Sequence, residues 1–142
     1  MSSDNLKSII RHFVAKAFET FDAAAIPELV APHFRTDAFA AFGVSQGPQG
    51  LQQAVAALGA AFSNAQVKVD DLIAEDDRVV MRYRWAADHT GAMMGIAATG
   101  RRVEMPGILI ARIANGKLIE YWRQEDMLGL LRQLGALPAP TA

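Results

Sequence analysis

The chain has 142 residues, no cysteine, a formal net charge of −1 and 51% hydrophobic residues. That length suits one domain with a sizeable core (residues 1–142) and is too short for two. Without cysteine, disulfides, thiolate metal sites and a cysteine nucleophile are excluded, and interspersed charges of both signs give no basic surface for nucleic acid. The start, Met1-Ser2-Ser3-Asp4-Asn5, has no basic leader, and no apolar run nears the ~20 residues of a membrane helix. A soluble cytoplasmic protein is expected, with neither nucleic acid nor membrane as partner.

Leu6, Ile9, Ile10, Phe13, Val14, Ala17, Phe18 and Phe21 recur at helical intervals, which predicts an amphipathic helix capped by Ser3 or Asp4. A short second helix should open at Pro27 and close before Pro32. After Gly47-Pro48-Gln49-Gly50, a third helix buries Leu51, Val55, Leu58 and Phe62. The period then becomes two. Val67, Val69 and Asp71 alternate with Lys68 and Asp70.

In the next strand Val79, Met81, Tyr83, Trp85, Ala87 and His89 share one face, with Arg82, Arg84 and Asp88 on the other. A Gly- and Met-rich connection covers residues 90–101. Val103–Ala114 is apolar on both faces over Ile108, Leu109 and Ile110, which predicts a central strand covered on both sides. Asn115-Gly116 signals a hairpin into a last strand, residues 117–125, and a terminal helix from Met127 to Leu134 ends at Gly135. Residues 136–142 read as a frayed tail. Helices first, then antiparallel strands, then a short helix define the α+β class.

On the last strand a regular pleat gives Leu118, Glu120, Trp122, Gln124 and Asp126 one face. Asp126 then has two readings. In an apolar pocket it loses hydration and its pKa rises, suiting it to proton transfer; as the N-cap of the terminal helix it accepts N–H groups and its pKa falls. His89 ends an apolar face, as a core residue or a participant near neutral pH. Tyr83, Trp85 and Trp122 suit a pocket wall, and Met93, Met94 and Met105 an adaptable rim or ordinary packing. No His, Asp or Glu cluster has metal-ligand spacing, so no metal is expected.

Gly91-Ala92-Met93-Met94-Gly95-Ile96 and Thr99-Gly100-Arg101-Arg102-Val103-Glu104 resemble the central signature of the SnoaL-like polyketide cyclases. So do Gly107-Ile108, Asn115-Gly116-Lys117-Leu118-Ile119-Glu120, and the closing run from Trp122 through Asp126 to Gly135. The resemblance implies a cone-shaped barrel of the nuclear-transport-factor-2-like superfamily: a strongly curved, mainly antiparallel sheet wrapped by about three N-terminal helices around a deep pocket. It implies cofactor-independent ring closure by an intramolecular aldol reaction on an apolar carbonyl-containing substrate, and a homodimer. It assigns the general acid/base to Asp126 and a pocket position to His89; from their own side-chain chemistry, Trp122, Tyr83, Trp85, Met93, Met94 and Met105 are the residues expected against substrate. The chain departs from the family at Tyr121, where members often carry histidine, and at Arg123, where they carry an acid.

Two alternatives differ in kind. A non-catalytic binding or dimerisation module would have a filled interior, or Asp126 engaged as a cap. An epoxide hydrolase of the same superfamily needs an acid–Arg–acid group; Arg123 and Asp88 are candidates, both outward-facing on a regular pleat.

Overall fold

A computed structural model describes residues 2–39, 43 and 46–138. The expected frayed tail falls partly outside them, at residues 139–142.

Helix α1 (Ser3–Val14) starts one residue earlier than expected, so its cap is Ser2, whose hydroxyl accepts from Asn5 N–H at 3.1 Å. Its apolar stripe buries Leu6, Ile10, Phe13 and Val14. At Ala15–Glu19 the helix widens into a π turn. There the Phe18 carbonyl accepts the Trp85 indole N–H at 2.9 Å, joining the helix to the sheet.

Helix α2 (Ile26–Leu29) is a single turn opened by Pro27, as expected. Strand β1 (Val30–Thr36) follows at once and was not expected. It carries Pro32 and His33 and pairs in parallel with the last strand, a partner remote in sequence. As an edge strand it tolerates proline. Helix α3 (Pro48–Ala61) buries Leu51 and Val55; Phe62 is buried too, but as the first residue of β2.

Strands β2 (Phe62–Glu75), β3 (Arg78–His89), β4 (Arg102–Ala114) and β5 (Lys117–Glu125) form an antiparallel run, and α4 (Met127–Gln133) ends the chain. The sheet order is β1-β5-β4-β3-β2, mixed and open rather than closed. Asn115 and Gly116 both take positive φ in the tight β4–β5 turn, as the Asn-Gly pair demands.

Register shifts on β2 and β5 decide which of their side chains face inward. On β2, partners slip between Ser63 and Gln66 and again between Val69 and Asp71. The second slip turns Asp71 outward and Leu72 inward, correcting the expectation that Asp71 shares the face of Val67 and Val69. On β5, Leu118 pairs with Ile113 but Glu120 with Arg112, so Ile119 is an extra residue. Leu118 and Tyr121, three apart, are therefore both buried.

On β3 the residues from Val79 to His89 that share a face are all buried, as the alternation predicts. On β4 the expectation fails. The helices pack against one face of the sheet, and Ile108 and Ile110 are exposed on the other.

Replacing Trp85 by Phe keeps an aromatic ring against Phe62 but orphans the Phe18 carbonyl. The expected cost is about 1–3 kcal/mol, read as a lower urea midpoint with an unchanged m-value.

Candidate active site

Between α3, the inner face of the sheet, α4 and the 91–96 connection lies a cavity of about 270 Å³. Small-molecule sites typically begin at roughly 300 Å³, and this cavity lies near that lower end. Its wall is almost entirely apolar, with Phe18, Phe62, Trp85, Met105 and Leu109 among its residues. Tyr83, Arg123 and Glu125 bring the polar chemistry.

The extra residue at Ile119 puts Arg123 and Glu125 on this wall, by inverting the parity of everything after it on β5. Their side chains are only 11% and 6% exposed. Arg123 Nε stands 2.6 Å from Glu125 Oε1, and the Tyr83 hydroxyl donates to the same oxygen at 2.7 Å. Glu125 Oε2 has no hydrogen-bond partner among the described residues, and the Arg123 guanidinium stands beside the Tyr121 ring. The guanidinium also lies over the rings of Phe39, at 4.4 Å, and Phe18, at 5.4 Å. Both contacts favour the cation without water.

Tyr83 reaches Glu125 across the intervening strand because residue 107 is glycine. Gly107 pairs with Tyr83 on one side and with Glu125 on the other. A Cβ there would stand 2.7 Å from both the Tyr83 hydroxyl and Glu125 Cγ.

Burial first, then Tyr121 and the Glu125 carboxylate beside it, push the Tyr83 pKa far above the ordinary tyrosine value. Tyr121 is also raised, mainly by burial, and its hydroxyl has no partner among the described residues. For Arg123 burial works against the charge, but Tyr121, Glu125 and Tyr83 outweigh it and its pKa is raised. The arginine therefore stays a cation inside the cavity wall.

Of the residues expected at the site, Tyr83, Trp85, Met93, Met94 and Met105 line the cavity. Trp122 does not: it is 39% exposed on the outer face, because the extra residue at Ile119 turned it there. His89 is fully buried, but against Phe62 rather than on the cavity wall. Its Nδ1 accepts from Thr99 N–H at 3.2 Å and lies 3.0 Å from the Thr99 hydroxyl, bracing the base of the 91–96 connection.

Asp126 is exposed, and its carboxylate accepts from Gly129 N–H at 2.9 Å as the cap of α4. Gly129 has to be small here, since a Cβ would collide with that carboxylate. The pocket position expected for Asp126 goes to Glu125 instead. One signal in the sequence marks the shift: Leu118 and Tyr121 are large apolar residues an odd number apart.

The chain belongs to the SnoaL-like polyketide cyclase family, whose model matches residues 8–134. It is 27% identical over 129 residues to the nogalonic acid methyl ester cyclase of Streptomyces nogalater, covering 86% of this chain and 92% of that one. With the aklanonic acid methyl ester cyclase DnrD of Streptomyces peucetius it shares 35% identity over 98 residues, 68% of this chain and 66% of the relative. Among solved structures, TsrD from Streptomyces laurentii superposes with a TM-score of 0.84 at 29% identity, covering 96% of this chain and 99% of that one.

Both tyrosines of the chain are buried with raised pKa values. An ultraviolet titration of the folded protein should therefore show no phenolate absorbance through the ordinary tyrosine range near pH 10. Tyrosine's contribution to stability is intact below that value. It falls as pH rises beyond it, because the unfolded chain releases protons that the folded chain holds. Phenolate should appear only together with loss of near-ultraviolet dichroism; a separate, earlier rise would contradict this.

Proposed function

We propose that the chain is a cofactor-independent ring-closing enzyme that moves protons on an apolar carbonyl compound bound in this cavity. Glu125 Oε2 removes a proton from the carbon beside a substrate carbonyl, and the terminal N–H groups of Arg123 hold the oxygen as it becomes an enolate. The enolate carbon attacks a second carbonyl of the same molecule, and the new alkoxide recovers the proton from Glu125. No atom is gained or lost. A placed base contributes on the order of 10²–10⁴ in rate, and donors on the developing oxyanion roughly 10²–10³.

The observation that most supports this reading is a carboxylate set in an apolar cavity, held through one oxygen by Tyr83 and Arg123 and left open at the other. Glu125 thereby takes the role that the family resemblance gave to Asp126, and His89 supports the wall instead of touching substrate. Aklanonic and nogalonic acid methyl esters, named in the relatives, are the first substrates to try.

Epoxide hydration is a second reading, supported by the inward turn of Arg123. Against it, Asp88 stays on the outer face, bonded to Asn64 at 2.9 Å and Arg102 at 3.0 Å. Incorporation of labelled oxygen from water separates the two. A non-catalytic binding module draws support from the capping role of Asp126, and such a module would bind these esters without turnover. We also propose a homodimer through the outer sheet face, where Ile110 pairs with Trp122 beside Ile108 and all three are exposed. Wild-type protein should sediment as a dimer and Ile110→Glu as a monomer.

With a turned-over substrate, Glu125→Gln should lower the rate by about 10² or more. Asp126→Asn, which still caps a helix, should stay within about threefold of wild type. The reverse pattern in steady-state kinetics would return the chemistry to Asp126.

A further inference from the structure

Two turns of this chain share backbone angles and differ in one residue. In the β4–β5 hairpin the central pair is Asn115-Gly116, with φ of 52° and 79°. At the tip of the 91–96 connection the central pair is Met94-Gly95, again with φ of 52° and 79°. Met93 and Ile96 close this second turn by exchanging backbone hydrogen bonds of 3.0 and 2.8 Å. Asparagine suits left-handed backbone through its short polar side chain; methionine has no such relief and is strained there. The Met94 side chain is also 52% exposed, although it is large and apolar. Neither backbone preference nor core burial accounts for methionine at this position. Its place does: Met94 is half-exposed and still on the cavity wall, which sets it at the mouth.

The base of the turn holds it at that spot. Thr90 and Gly91 N–H groups both donate to the Ala61 carbonyl, at 3.0 and 2.9 Å. A Cβ on Gly91 would collide with the Ala60 carbonyl oxygen, so the connection lies directly on the end of α3. On the returning side Gly100 N–H donates to the His89 carbonyl at 2.8 Å. From Thr90 to Gly100 no residue is charged, so nothing draws the tip away into water.

We propose that Met94 is a latch, whose thioether side chain folds over a ligand in the cavity and slows its release. The strained, exposed methionine persists because its reach across the mouth is used, and the fold is less stable for it. Methionine is unbranched and its sulfur contacts aromatic edges favourably, so the latch suits a ligand with a flat ring near the mouth. The inference rests on reading this cavity as the substrate site. It is tested by binding, so a protein with no turnover would still obey it.

Three substitutions separate side-chain reach from backbone strain. Met94→Asn supplies the residue type that the turn favours and removes the reach. Met94→Ala removes the reach but keeps a side chain in left-handed backbone. Met94→Leu keeps both the apolar bulk and the strain. The probe is 1,8-dihydroxyanthraquinone, a neutral flat diketone. Trp122 lies on the outer face, so a Trp122→Phe background leaves Trp85, on the cavity wall, as the sole indole whose quenching reports occupancy.

In stopped-flow quenching, Met94→Asn and Met94→Ala should both release the probe ~10-fold faster, since lost contacts act mainly on dissociation. Met94→Leu should stay within ~3-fold of the background protein. Without probe, Met94→Asn should melt about 2–4 °C higher, and Met94→Ala should show no such gain. Higher stability joined to faster release is a pairing that simple loss of packing does not produce.

Unchanged release in Met94→Asn and Met94→Ala overturns the proposal while leaving the cavity a binding site. So does a Met94→Leu protein that releases the probe as fast as Met94→Asn. A lower melting temperature for Met94→Asn removes the strain, and the latch with it. If the probe does not quench Trp85 at all, the cavity reading and the latch fall together.

Discussion

One extra residue in β5 carries the organisation of the site. Ile119 has no partner position on β4, and from Glu120 onward every side chain faces opposite to a regular pleat. Without it, Glu120, Trp122 and Gln124 would enter the cavity: an acid, a large ring and an amide, with no cation. With it, Tyr121, Arg123 and Glu125 turn inward. A buried ion pair is costly unless its members are held in good geometry and further bonded. Here three features meet that need. Tyr83 donates to Glu125, Gly107 leaves the space for it to do so, and the rings of Phe39 and Phe18 cover the guanidinium.

Several residues that look like chemistry in the sequence also hold the cavity's shape. Helix α4 has seven residues, too few to be stable in isolation. Asp126 caps its start, and at its end the Gln133 side chain bonds both the N–H and the carbonyl of Glu104, at 2.8 and 2.7 Å. Arg101 adds a bond to the Gln133 carbonyl at 2.8 Å. Anchored at both ends, α4 presents Met127 and Leu130 to the cavity. His89 acts similarly at the neck of the 91–96 connection, whose bases are also tied by Thr90 and Gly91 N–H groups to the Ala61 carbonyl. The Met-rich tip is held by its own short bridge between Met93 and Ile96.

Much of the fold was legible in the chain. The i, i+3, i+4 spacing marked α1, and two-residue alternation marked β3 with every inward residue correct. Asn115-Gly116 marked the hairpin. These signals are local: each depends on neighbours within a few residues. β1 was missed because it alternates poorly, contains Pro32 and owes its existence to a parallel partner far along the chain. The two-sided cover expected for β4 failed for a related reason, since apolar residues on both faces do not reveal whether helices exist for both.

The sequence alone determined the α+β class, the apolar interior, the family and five of the aromatic and methionine side chains on the cavity wall: Tyr83, Trp85, Met93, Met94 and Met105. Tertiary structure decided which carboxylate lies in the cavity. Counting by twos along a strand holds until one residue lacks a partner, and that lack exists only in the pairing of two strands. Asp126 and Glu125 are neighbours in the chain, yet one bonds a helix N–H at the surface and the other faces an arginine out of water. Ile119 made that difference, and its effect is a matter of hydrogen-bond register rather than of residue type.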